Sequence, residues 1–132
     1  MKRNVITLAL ILLAAFAANM YAERPKESPD KATFIVAGTV KKVFERDAGS
    51  YHEYMVQIRI EEVKKGENLK PKQYIYAYSF RRKPDAPLEP SASGHIKPPK
   101  EGQRIQAHIK HNRGTMEGIY PNWFEVLKEE KK

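Results

Sequence analysis

The chain has no cysteine among its 132 residues. That absence excludes a disulfide framework, on which many small exported domains depend, and a lipid anchor attached to a cysteine thiol. No apolar run reaches the roughly 20 residues of a membrane-crossing helix. No glycine-rich phosphate loop is present. The four histidines do not cluster: His108 and His111, three apart on a strand-like segment, point to opposite faces, His52-Glu53 diverge, and His95 stands alone. No metal and no cofactor is therefore expected.

Catalytic groups are equally scarce. Ser91, Ser93 and His95 lie close in sequence, but no Gly-x-Ser-x-Gly elbow or orienting acid accompanies them. The paired carboxylates Glu61-Glu62 and Glu129-Glu130 sit among charged neighbours, where nothing raises a pKa. A small hydrolase using His95 is the last-ranked reading, and no enzyme is expected.

The most informative segment is residues 1–22. Lys2 and Arg3 precede an apolar run from Val5 to Ala18, and small residues follow: a secretory signal peptide. Cleavage after Ala17 has the small-x-small pattern Ala15-Phe16-Ala17; cleavage after Ala22 leaves the larger Met20 at the third position back. The mature protein is expected outside the cytoplasm, secreted or periplasmic, not a lipoprotein and with no stable membrane span. About 110 residues remain, enough for a core that folds unaided. Twenty-four lysines and arginines face 16 acids, and without residues 1–22 the surplus is +6. A basic chain favours acidic partners or simply stays soluble; nucleic acid is an unlikely partner for an exported protein.

Residues 23–32, polar with two prolines, read as a flexible linker. The domain spans 33–127, and 128–132 is a charged tail. Five strand-like segments follow the linker. Thr33–Phe44 is rich in β-branched residues, with a bend or bulge at Gly38. Tyr51–Glu62 alternates Tyr54, Val56, Ile58 and Ile60 inward with Met55, Gln57 and Arg59 outward. Gln73–Phe80 puts Tyr74, Tyr76, Tyr78 and Phe80 on one face and Ile75 and Ala77 on the other. Gln103–His111 turns Ile105, Ala107 and Ile109 inward. Met116–Leu127 is interrupted at Pro121-Asn122, with Trp123 expected to plug an end of the barrel. Between the third and fourth strands, residues 81–102 hold five of the nine prolines and form a long loop. The fold class is all-β: a five-stranded antiparallel OB-like barrel with a long Pro-rich loop between strands 3 and 4, preceded by a signal peptide.

The stretches Ile35–Val43, Tyr54–Gly66 and Tyr74–Tyr78 resemble the first three strands of netrin-like domains, the barrel used by tissue inhibitors of metalloproteinases. The shared pattern is G-x-V followed by E-x-V-x-K-G and covers about half of the mature chain. Glu101–Ile109 and Tyr120–Leu127 are similar to small exported bacterial proteins of unknown function. The resemblance implies a fold and no activity. The metalloproteinase inhibitors hold the enzyme's zinc through an N-terminal cysteine, which this chain lacks, so no inhibitory residue carries over.

The candidate ligand-binding residues are Tyr74, Tyr76, Tyr78 and Phe80, bordered by Lys72, Arg81 and Arg82. Tyrosines on an open barrel face stack on sugar rings or bases, and the cations would steer an acidic ligand. The competing reading makes the aromatic face the core, with Ile75 and Ala77 outside. The expected function is an exported non-catalytic binding module for an acidic glycan or a protein. The alternative is a docking or inhibitory module acting on a secreted enzyme through the 81–102 loop.

Overall fold

The structure, a computed structural model, describes residues 23–87 and 92–128. The expected signal peptide, the loop residues 88–91 (Ser91 among them) and the tail beyond Lys128 lie outside the described residues. Six strands are formed: β1 (Phe34–Ala48), β2 (Tyr51–Lys65), β3 (Tyr74–Arg82), β4 (Arg104–Asn112), β5 (Thr115–Gly118) and β6 (Phe124–Val126). The sheet runs β1-β2-β3-β5-β4, and β4 pairs back onto β1 to close an OB-like barrel of five strands; β6 pairs with β4 along the same edge as β5.

The barrel is mixed rather than purely antiparallel as expected. β3 and β5 run parallel where Tyr78 faces Glu117, and the other pairings are antiparallel. The reason is topological. Around a closed ring of five, up and down cannot alternate without one mismatch. The mismatch falls at β3 and β5, the neighbours on either side of the long loop and β4.

Alternation places the core. On β2, Val56, Ile58 and Ile60 are buried; on β3, Ile75 and Ala77; on β4, Ile105, Ala107 and Ile109. Each buried Val or Ile contributes about 1.5–3 kcal/mol relative to exposure. β1 departs from alternation, since Val36, Ala37 and Gly38 are all buried. The register shifts between Ala37 and Gly38, the bulge expected at that glycine. A side chain at Gly38 would meet Ile58 Cγ2 at 2.9 Å. Trp123 is fully buried within the core cluster and lies against Gly118, where a Cβ would stand 2.6 Å from the Trp123 Cβ. β5 and β6 are the two halves of the segment interrupted at Pro121-Asn122.

Residues 23–32, read from composition as a linker, are bonded to the barrel. Glu23 accepts from the Tyr120 hydroxyl and from Ser93, and Arg24 donates to Glu117 at 2.9 Å. Glu27 takes Lys110 at 2.6 Å and the Tyr120 N–H at 2.9 Å. A 3-10 helix at Pro29–Lys31 then delivers Ala32 into the core.

Candidate binding face

The outward face of β3 answers the question that its sequence left open. Ile75, Ala77 and Ser79 point into the barrel, so the aromatic stripe is outside. The stripe is graded along the strand. Tyr74 and Tyr76 are 51% and 45% exposed, whereas Tyr78 and Phe80 are half-buried. The Tyr76 hydroxyl accepts from Gln57 Nε2 at 2.8 Å, which steadies the ring upright on the sheet.

Phe80 is drawn into a different assembly. Its ring meets Tyr51 at 5.7 Å, His95 at 4.9 Å and Tyr120 at 6.1 Å. His95, alone in the proline-rich loop by sequence, is the latch of that loop. Its Nδ1 accepts the Phe80 N–H at 3.2 Å, and Nε2 bonds the Gly118 carbonyl at 2.9 Å, which makes Nε2 the protonated nitrogen. Its backbone N–H returns to the Phe80 carbonyl at 2.7 Å, and Gly94 bridges Arg81. Gly94 is required there: its φ is 110°, and a Cβ would sit 2.6 Å from the Arg81 Cα. Burial holds the His95 imidazole below its ordinary range, against the upward pull of the Gly118 carbonyl and of Glu117. A neutral ring with both nitrogens engaged by backbone has no free atom for general-base work.

Of the expected basic border, Lys72 and Arg82 stand at the two ends of the stripe, whereas Arg81 does not share its face. Lys72 lies in the turn before β3 with φ 74°, its N–H held by the Ile60 carbonyl. Arg81 falls on the opposite side of β3 and acts on Tyr54. Arg82 sits past Phe80, its N–H bonded to the Ser93 carbonyl and its charge acting on Glu23. Both arginines are half-buried at the loop end of the strand.

What adjoins Tyr78 is a groove of about 540 Å³, lined by Phe44, Glu45, Arg46, Glu53, Tyr54, Met55, Tyr78, Asn112, Thr115 and Glu117. A second hollow of about 370 Å³ carries it on past Met55 and Thr115 to Tyr74, Tyr76, Leu69 and Met116. Its floor is built by register. Phe44 of β1 stands opposite Met55 of β2, and Met55 opposite Tyr78 of β3, so three large apolar side chains lie in one line across the sheet. Phe44 is 51% exposed. The walls are the β1–β2 hairpin on one side and the β4–β5 turn on the other, the loops that flank the ligand face in OB barrels.

The groove's charge comes from its walls. Glu53 is paired to Arg46 and Glu117 to Arg24, while Glu45, on the other face of β1, lies 3.0 Å from His52 Nδ1. Glu117 is buried, bonded to Arg24 and to Asn112 Nδ2 at 3.3 Å. Burial first, then Glu53 and Glu117, push the Tyr78 hydroxyl up; burial and Glu45 do the same to Tyr54. Arg46 and Arg24 pull Tyr78 the other way, and Arg81 does so at Tyr54.

The sequence reading missed Phe44, Glu53, Met55, Asn112 and Glu117. One signal was available for two of them: a tight turn at Gly49-Ser50 sets Phe44 opposite Met55 by counting outward. Nothing local could place Glu117 there, because β5 reaches β3 only through barrel closure. Among the described residues no group of histidines and carboxylates could hold a metal ion, and no helix is long and apolar enough to cross a membrane. Compared with protein-family models, curated proteins and solved structures, the chain matches none.

Proposed function

We propose that this protein is an exported, non-catalytic binding module that holds an extended segment of a partner protein in the groove across β1, β2 and β3. The observation that carries this reading is the line Phe44–Met55–Tyr78, continued by Tyr74 and Tyr76 on the outer face. Scattered single apolar residues on a surface need no explanation, but a contiguous row rimmed by polar groups marks an interaction site. Tyr and Phe supply large contact area at low entropic cost, since each has two rotatable bonds.

A protein segment suits the groove better than the acidic glycan that the chain's overall charge suggests. No lysine lines the groove, and its lining arginine, Arg46, is already paired to Glu53. The docking or inhibitory reading through the 81–102 loop draws less support, because residues 92–96 are engaged internally by Tyr51, Phe80, Tyr120 and Pro121. The resemblance to netrin-like barrels adds a scaffold to this reading and no chemistry.

The test is selection of random displayed peptides on the immobilised protein, followed by Phe44→Ala and Tyr76→Ala. Enriched peptides should lose about tenfold or more in affinity on each variant, the size of an aromatic contact at an interface. Retention of full affinity by both variants overturns the assignment of this face.

A further inference from the structure

We infer that the partner segment is held by its backbone, as a strand added to the open edge of β3 at Tyr74 and Tyr76 and running antiparallel to both β3 and β5. This rests on the reading of that face as a protein-binding site and adds how the segment is gripped. The direction of the β3 backbone follows from two bonds at its ends. The Ile60 N–H donates to the Gln73 carbonyl at 2.8 Å, and the Lys83 N–H to the Ser50 carbonyl at 2.9 Å. Bonded and non-bonded residues alternate along an antiparallel pair, so the odd-numbered residues of β3 bond β2. The even-numbered ones turn their N–H and C=O groups the other way. Of these, Tyr78 meets β5, and the loop takes the next two: Arg82 donates to the Ser93 carbonyl, and Phe80 accepts the His95 N–H. Among the described residues no strand pairs with Tyr74 or Tyr76 on that side. What lies there is the hollow of about 370 Å³ between β3 and Gly114–Met116.

The protein displays this mode itself. Ser93–His95 lie on the same edge of β3, antiparallel to it where Gly94 bridges Arg81. They reach across the seam to the Gly118 carbonyl through His95 Nε2 at 2.9 Å, and to the Tyr120 hydroxyl through the Gly94 N–H at 3.1 Å. The loop thus fills a sixth place in the ring at one end of the seam and leaves the other end open. That place has a preferred direction. β3 and β5 form the ring's one parallel pairing, and a strand antiparallel to both restores alternation around the barrel. Tyr74 and Tyr76 lie about 7 Å apart along the strand and offer two donors and two acceptors, a match for about three residues of an extended segment. The other long open edge is guarded. β4 covers β1 only over Phe34–Thr39, and the far end of β1 carries the exposed charges Glu45, Arg46 and Asp47, which oppose strand addition. The β3 edge has no such guard. Among the described residues lining its hollow none is charged, and Leu69 and Met116 stand with Tyr74 and Tyr76. An uncharged, strand-forming segment is the occupant that these groups fit, since a charge buried there would find no partner.

The experiment is amide hydrogen exchange read by NMR on the purified protein, alone and with a short peptide of valine alternating with serine; peptides enriched by display are put through the same measurements. In the free protein the Tyr74 and Tyr76 amides should exchange about tenfold or more faster than those of Ile75 and Ala77. Equal protection of all four means a closed edge and overturns strand addition, while the binding module stands. With peptide at about ten times its Kd, the Tyr74 and Tyr76 amides should slow by about tenfold. The same peptide with N-methylated amides keeps its side chains, loses its donors, and should bind about tenfold more weakly. Tyr76→Pro removes an edge N–H that the β2 ladder does not use, so it should weaken binding beyond Tyr76→Ala, which keeps that N–H. Peptide that shifts the Phe44, Met55 and Tyr78 resonances without slowing Tyr74 and Tyr76, or that binds as tightly when N-methylated, overturns strand addition and leaves the module standing. If no peptide of either kind moves a groove resonance, the binding module fails and strand addition with it.

Discussion

Replacing His95 with alanine tests the claim that this residue is a structural latch. The substitution removes an imidazole packed between Phe80 and Tyr120, at 4.9 and 5.3 Å. It also strips the Phe80 N–H of its acceptor, in a part-buried position, and the buried Gly118 carbonyl of its donor. Deleting a buried ring costs about 3 kcal/mol, and each orphaned backbone group about 1 kcal/mol where water gains partial entry. The total is about 4–5 kcal/mol, a large share of the stability of a domain this size, and Tm should fall by about 20 °C or more. Urea unfolding followed by Trp123 fluorescence measures it, since that indole is buried against Gly118 and Phe124. The variant has a second signature. The native imidazole lies below its ordinary range, whereas the unfolded one titrates at its ordinary value of about 6.5. As pH falls through the interval between them, the unfolded chain binds a proton that the native chain refuses. Stability is therefore full above the interval and declines as pH drops through it. His95→Ala should lose that part of the slope and keep only the share due to His108, which burial lowers in the same direction. A loss below about 1 kcal/mol, or an unaltered slope in the variant, refutes the latch.

Other outcomes follow from the same contacts. Gly118→Ala forces a methyl against the Trp123 ring and should cost about 3 kcal/mol or prevent folding, visible as a changed Trp123 emission. Ser79 points its hydroxyl into the core with no hydrogen-bond partner among the described residues, so Ser79→Ala should be neutral or stabilising by up to about 1 kcal/mol in urea titration. A later stage of acid destabilisation should begin near the ordinary carboxylate value. Glu23 is held low by the Tyr120 hydroxyl and Glu61 by Thr39; at Glu27 burial pulls upward but Lys110 and the Tyr120 N–H outweigh it. All three contribute stability above their unfolded values that is lost as pH falls below them, and Glu23→Gln/Glu27→Gln should flatten that stage. Phe44→Ala, an exposed change, should leave Tm within about 2 °C of the parent.

Local pattern accounts for a definite share of this protein. Strict alternation in Tyr54–Ile60 and Ile105–Ile109 determined which side chains are inside, because the side-chain period of a strand is two. Gly38 announced its bulge, and Pro121-Asn122 the break between β5 and β6. The β3 stripe was legible as one face, but its direction was not: Tyr74–Phe80 and Ile75–Ala77 are both apolar sets, and only the closed barrel chose between them. His95 looked like an idle loop residue because its partners, Phe80 and Gly118, lie 15 and 23 positions away. The segment after residue 22 looked like a linker because its value lies in charges, and charges show no period until their partners Ser93, Lys110, Glu117 and Tyr120 are in place.

By itself the sequence determined the strands, the inward residues of β2 and β4 and the hairpin that sets Phe44 beside Met55, all consequences of near-neighbour spacing. Tertiary structure alone decided the parallel meeting of β3 with β5, the burial of His95 and Glu117, and the assembly of the groove where Tyr78 meets Glu117. The physical reason is that barrel closure joins strands that share no turn, and no local periodicity encodes which of them will meet.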